Sequence, residues 1–239
     1  MQPNYPQKSG LEITLKKAFF YWSKTLLYHV LFSLVYFSVF FLVYYYVAER
    51  YGILEKMMTA LQQNQNNFSA MNEAMRKISA LPEYYNLSLA LIFAMTFLYP
   101  LNLGLLQIFR KIDLGEKYNI EDLFVGYNGI NFFKFSSYFL FWIFVYQLAI
   151  STLILGIVWV YITLFTAPLM FFMDKRIFET INLNIKALKL FFLEISVAVF
   201  VAFTFRYFGI ITLIGFLFTF PFWNAMIYSM YQKIFTENK

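Results

Sequence analysis

Phe135–Met173, FSSYFLFWIFVYQLAISTLILGIVWVYITLFTAPLMFFM, runs for 39 residues without a Lys, Arg, Asp, Glu or His. A hydrocarbon layer about 30 Å thick is crossed by roughly 20 residues of apolar helix. As one helix at about 1.5 Å per residue, this stretch would reach about 58 Å. It is therefore expected to fold back on itself as two spans, and several shorter runs of the same kind flank it.

The whole chain follows that solvent. Its 239 residues are 61% hydrophobic and 13% charged, with a mean hydropathy of +0.60, a composition outside the soluble range. Lipid offers no partner to a backbone N–H or C=O, so a spanning chain is helical or a closed barrel. The apolar runs here are continuous and lack the alternation of barrel strands. The expected class is all-α, a polytopic membrane helical bundle forming a single domain over residues 1–239. With no cysteine and one histidine, disulfides, thiolate sites and histidine-based metal sites find little material. The first apolar run, Thr25–Ala48, exceeds the apolar region of a secretory signal and has no clear small-residue cleavage site. It is expected to remain as an anchor.

Six spans are read from the sequence: Thr25–Ala48, Leu87–Phe109, Phe135–Leu155, Ile157–Met173, Leu190–Phe205 and Ile211–Tyr231. They pair into three hairpins, the second turning near Gly156 and the third near Arg206–Gly209. Lys and Arg accumulate on the cytoplasmic side of short loops. With the N-terminus inside, the outer face holds only Arg50, Lys56, Arg76, Lys77 and Arg206, and the remaining 14 of 19 basic residues, Lys8 and Lys239 among them, lie inside. Both termini are thus expected in the cytoplasm of a bacterial inner membrane. The net charge of +6 is spread along membrane edges, where it meets lipid head groups. It forms no contiguous basic face for nucleic acid.

The three hairpins look alike. Each is introduced by a cytoplasmic juxtamembrane segment, at 11–24, 120–134 and 177–189, that opens on an acidic residue and ends on a lysine. In the third, Phe178, Ile181, Ile185, Leu188 and Phe192 recur at helical spacing. In the first, Leu11, Leu15, Phe19 and Trp22 do so, while Gly126 and Gly129 interrupt the second. Two readings stay open: helices lying in the interface plane, or cytoplasmic ends of the spans. Each return span carries a proline, Pro100, Pro168 or Pro221, which removes a helical hydrogen bond and is expected to kink it. Internal triplication of a helix–hairpin unit is the reading. The first hairpin alone has an outer helical insertion, residues 49–86. Its stripe of Leu54, Met57, Leu61, Phe68, Met71, Met75 and Ile78 either rests on the protein's own outer face or the lipid surface, or receives another membrane or envelope protein.

At Ala167-Pro168-Leu169, Asp174, the amphipathic stretch after it and the Pro221 span, the chain resembles a loose group of bacterial six-span membrane proteins of unknown function. The group includes the membrane domain fused to some glycerophosphoryl diester phosphodiesterases. Relatives carry a small residue and a serine where this chain has Asn184 and Ala187. The resemblance implies a helical inner-membrane domain without the phosphodiesterase activity, since the soluble catalytic domain is absent.

No hydrolase, metalloprotease or P-loop pattern occurs, and no catalytic, cofactor or metal residue is expected. His29 and Ser33 are four apart on the first span, but His29 reads as a head-group residue one turn past Lys24. An acid within a span is costly and points to function by default, which singles out Glu194, with the interface within one turn of it as the plainer reading. Asn102, Gln147 and Asn224 either line a polar cavity or hydrogen-bond between helices. Ala198 and Ala202 have the spacing of a close helix contact. The function expected is non-enzymatic: an accessory or organising role through lipid or a membrane-protein partner. The alternative is a transporter or channel component for a small solute or lipid.

Overall fold

A computed structural model describes residues 10–212 and 214–236; Lys8 and Lys239 lie outside the described residues. Every regular element among these residues is helical. In chain order they are α1 (Leu11–Lys24), α2 (Leu26–Arg50), α3 (Ile53–Gln63), α4 (Phe68–Ser79), α5 (Pro82–Leu98), α6 (Leu101–Asp113), a 3₁₀ segment (Ile120–Tyr127), α7 (Ile130–Ala149), α8 (Leu153–Ile162), α9 (Thr166–Phe172), α10 (Ile177–Phe208), a 3₁₀ turn (Gly209–Thr212), α11 (Ile214–Thr219), α12 (Phe222–Tyr231) and a closing π turn (Gln232–Thr236).

Five stretches are long and apolar enough to cross a membrane: Leu26–Arg50, Pro82–Asp113, Ile130–Ala149, Leu153–Phe172 and Ile177–Thr212. The sixth expected span, Ile211–Tyr231, is divided by Phe220-Pro221 into α11 and α12, so no single long helix fills it. The turn expected near Gly156 lies instead at Ile150–Thr152, between α7 and α8. Gly156 sits inside α8, where a Cβ would come within 2.9 Å of Ile150 Cδ1. That glycine serves packing beside the turn and is not the turn itself.

The chain divides into two compact units, residues 35–98 and residues 1–34 with 99–239. In the first, Gly52 takes a positive φ of 63° to turn α2 into α3, and the Asn67 side chain caps α4 by accepting from Ala70 N at 3.0 Å. The amide-rich break between α3 and α4 is thus a capped corner. Ala48, Ile53, Ala60, Ile78 and Leu87 form its core, with Leu54, Met57 and Met75 packed on them. Much of the methionine stripe is therefore spent inside this unit, although Met58, Leu61 and Phe68 stay exposed.

In the second unit α12 is the central helix. It packs on α1, α6 and α10, and Phe222, Ala225, Met226, Tyr228, Ser229, Met230 and Tyr231 are all buried. The faces that meet it are not the apolar ones. Along α1 the buried positions are Thr14, Ala18 and Tyr21, with Ser229 Oγ donating to Thr14 O at 2.6 Å. Along the first half of α10 the buried positions are Thr180, Asn184 and Ala187, and the first two meet the start of α9, with Thr180 Oγ1 3.1 Å from Thr166 Oγ1 and Asn184 Oδ1 2.9 Å from Phe165 N. Phe178 and Phe192, on the apolar stripe of the expected amphipathic helix, are 74% and 61% exposed. An apolar stripe of this kind is free to meet lipid, while small residues allow close backbone approach and polar ones need protein partners. Non-helical torsions at Phe191 (φ −129°, ψ 26°) separate this half of α10 from the rest. Ala198 and Ala202 are buried in that remainder.

The second juxtamembrane segment is no amphipathic α-helix. It begins at a capping box between Asn119 and Asp122, is tied to α6 by Lys111–Asp122 at 2.7 Å, and lies backbone to backbone against that helix. A Cβ on Gly104 would fall 2.0 Å from Leu123 O, and one on Gly126 would fall 2.1 Å from Pro100 O. Neither oxygen is the end of a flexible side chain, so the two glycines are required. Gly126→Ala is expected to cost about 1–3 kcal/mol, the range for overpacking a filled site. Gly10→Ala, at φ −65° with open space around the new Cβ, is expected to be neutral. Thermal unfolding of both variants in detergent checks this; equal midpoints would show that the contact does not matter.

Candidate functional site

Pro100, Pro168 and Pro221 each stand where a helix is broken. Pro100 directly precedes α6 and Pro221 directly precedes α12. Pro168 lies in the first turn of α9, whose break from α8 falls at Thr163–Phe165. Without an N–H, Pro168 cannot bond to the carbonyl of Leu164, four residues back, and its ring crowds that carbonyl. Backbone groups released at such breaks need new partners in a medium without water, and polar side chains supply them. Asn184 Oδ1 accepts from Phe165 N at 2.9 Å while its amide donates to Thr180 O at 2.8 Å. Asn102 Nδ2 donates to Tyr99 O at 2.8 Å, and Thr163 Oγ1 donates to Trp159 O at 2.7 Å.

The three breaks meet around one cavity of ≈ 300 Å³. Tyr99 and Asn102 line it from the first, Thr163, Leu164, Ala167 and Pro168 from the second, and Trp223 and Asn224 from the third. Tyr138, Phe139 and Trp142 of α7 complete an aromatic wall, with Arg206 of α10 also at the lining. Asn224 Nδ2 donates to Asn102 Oδ1 at 3.0 Å, joining α12 to α6 across the space. Trp142 Nε1 donates to Thr163 Oγ1 at 2.8 Å, joining α7 to the break before α9. The cavity is at the lower end of the range for small-molecule sites and, like them, is mostly apolar with a few placed polar groups.

Of the polar positions singled out from sequence, Asn102 and Asn224 come together here. Gln147 does not, since it is exposed on α7. Glu194 does not either. Lys233 Nζ, nearly buried, donates to its carboxylate, so its partner is the basic stop of the last helix. Arg206, expected at an outer turn, lies in the last turn of α10 with its guanidinium 4.2 Å from the centre of the Phe220 ring. His29 is wholly buried, with Nδ1 3.1 Å from Thr25 O, and Ser33 Oγ donates to Leu217 O at 2.7 Å. These two side chains are therefore engaged separately, and His29 is not a head-group residue.

One polar node had no signal in the sequence. Asp113, at the end of α6, accepts from Tyr21 OH at 2.6 Å, Tyr228 OH at 2.7 Å and Gln232 Nε2 at 3.2 Å. It ties α1 and α12 to α6 through partners up to 119 residues away. Lys134 ties α7 to the end of α9 by donating to Met170 O at 3.2 Å and Asp174 Oδ1 at 2.6 Å. Its ammonium holds the Asp174 carboxyl below the ordinary carboxylate range. Among the described residues no three of His, Cys, Asp and Glu gather where they could share a metal ion. What the cavity offers is shape, aromatic surface, amide and hydroxyl groups and one guanidinium.

The Asn102–Asn224 bond is testable by a double-mutant cycle with leucine at each position. Interhelical side-chain hydrogen bonds in membranes are worth about 0.6 kcal/mol on average, with a maximum near 1.7. A coupling in that range is expected from unfolding in mixed micelles. Strict additivity of the two substitutions would mean that the amides do not meet.

Compared with protein-family models, curated proteins and solved structures, the chain matches none.

Proposed function

We propose that this chain is a non-enzymatic membrane protein with an accessory or organising role, and that it acts by holding a lipid in the cavity where its three helix breaks meet. The observation that carries the reading is the gathering of Asn102, Thr163 and Asn224, from three distant parts of the chain, around one aromatic-walled space. On this reading six spans form three hairpins, with α11 and α12 together as the last return. Proline then breaks each return at a matched place, as an internally triplicated chain would have it. Both termini face the cytoplasm of a bacterial inner membrane, following the asymmetry of Lys and Arg. The resemblance to the membrane domain of some glycerophosphoryl diester phosphodiesterases fits the same layout and belongs to this proposal.

Lipid is favoured over a protein partner at the outer helices because Met57, Met75 and Ile78 are already packed within their own unit. A transport path drew its support from an acid facing a cavity. Glu194 is engaged by Lys233 and is absent from the lining, so that support is missing.

The test compares lipid retained after extraction of native membranes into nanodiscs. Val160→Trp fills the lining, whereas Leu193→Trp alters a residue 75% exposed outside it. Wild type and Leu193→Trp are expected to retain a near-stoichiometric lipid that Val160→Trp loses, with all three equally folded by thermal melting. Equal lipid content in all three would refute cavity binding.

A further inference from the structure

The helical insertion between α2 and α5 has an apolar edge that its own unit does not cover. At about 100° per residue, the apolar residues of α3, Ile53, Leu54, Met57, Met58, Ala60 and Leu61, all fall within one arc of about 160°, and Glu55, Lys56, Thr59, Gln62 and Gln63 fall opposite. One side of the apolar arc is spent on the protein. Ile53 and Ala60 are buried in the core of the unit, and Leu54 and Met57 pack against it. The other side is not, with Met58 56% and Leu61 42% exposed. The polar residues opposite are exposed throughout. Nor does α3 stand away from the long apolar helices. After the turn at Gly52, Tyr44 of α2 donates its hydroxyl to Met57 Sδ at 3.8 Å, and Val47, Ala48, Leu87 and Leu91 share the core that seats α3. The helix therefore lies beside the end of α2 and the beginning of α5, both parts of stretches able to cross a membrane. At these same ends Tyr45, Tyr46 and Tyr85 are exposed, and tyrosine collects at the boundary between membrane and water.

We propose that α3 is an interfacial helix, whose uncovered edge of Met58 and Leu61 enters the layer between lipid head groups and acyl chains while its polar arc faces head groups and water. A helix with its faces divided in this way settles with the apolar one about 5–10 Å into that layer. Lipid is the occupant because the edge continues a surface of the same unit that already suits it: Phe41 and Leu42 of α2 and Phe93 of α5 are exposed along the spans. A protein interface takes about 800 Å² from each partner, far more than two side chains supply, whereas lipid covers an edge of any width. The assignment does not depend on what the cavity holds.

The chain has no cysteine, so one introduced thiol carries the only spin label. Met58→Cys and Leu61→Cys label the uncovered edge, Glu55→Cys and Gln62→Cys the opposite arc, and Leu42→Cys the exposed face of α2. Each is measured in liposomes by power saturation against oxygen, which concentrates in lipid, and against a water-soluble nickel chelate. The labels at 58 and 61 are expected about 5–10 Å below the phosphates, the label at 42 deeper, and those at 55 and 62 at the phosphates or above. Equal access of nickel to all four positions on α3 would place the helix in water and overturn the proposal. Labels at 58 and 61 that neither agent reaches, with dipolar coupling between copies, would give the edge to a second copy and overturn it as well. Should a label disturb the helix, the wild type answers in nanodiscs holding one copy each. Chloramine-T is expected to oxidise Met58 there several-fold more slowly than methionine in a short peptide. Oxidation at the rate of the peptide would overturn the lipid contact.

Discussion

A backbone polar group in hydrocarbon has no water to turn to, and the organisation of this chain follows from where its helices fail to satisfy that demand. Proline is the cause at three places. At each, the helical ladder lapses for a few residues and nearby side chains take over: Asn102 donates to Tyr99 O at the first, Asn184 receives Phe165 N at the second, and Ser33 donates to Leu217 O at the third. Polar residues are costly in lipid unless they face protein, so the breaks and their polar partners turn inward together. Broken helices pack less completely than straight ones, and a space of ≈ 300 Å³ remains where the three meet. On this account the cavity results from how the breaks are repaired.

The same solvent sets which helix faces pack. Thr14, Ala18 and Tyr21 on α1, and Thr180, Asn184 and Ala187 on α10, are the buried positions. Large apolar side chains such as Leu190 and Leu148, each 77% exposed, point away from the protein. In water that arrangement would be unstable by the area rule for apolar burial. In lipid it costs nothing, and close approach of small residues with a few hydrogen bonds between helices supplies the cohesion. The 3₁₀ segment against α6 carries the principle furthest, since Gly104 and Gly126 bring backbone directly onto backbone.

What was legible in the sequence was what depends on chain chemistry alone. Long uncharged runs mark apolar helices, Pro100, Pro168 and Pro221 mark breaks, and an amide within an apolar run marks a group in need of a partner. Asn102 and Asn224 were found in that way, and they do partner each other. Gln147 carried the same signal and lies outside the site, because one position along a helix rotates a side chain by about 100° and an even apolar run gives no phase. Gly156 resembled a turn because glycine favours turns, yet it packs on Ile150 within α8. The apolar stripe of the first half of α10 marks an amphipathic helix, whereas its inward face of Thr180, Asn184 and Ala187 carries no apolar signal to find it by. Asp113 and the Glu194–Lys233 pair were hidden by distance, since their partners lie 39 to 119 residues away along the chain.

The central claim, that the proline breaks of α6 and α12 face each other across one cavity, can be measured by cross-linking. The chain has no native cysteine, so pairs introduced at positions 102 and 224, and at 147 and 224 as a control, stand alone in the protein. With a short bis-thiosulfonate reagent in native membranes, the 102/224 pair should form an intramolecular link rapidly, and the exposed residue 147 should not link to 224. A linked 147/224 pair with an unreactive 102/224 pair would contradict the account.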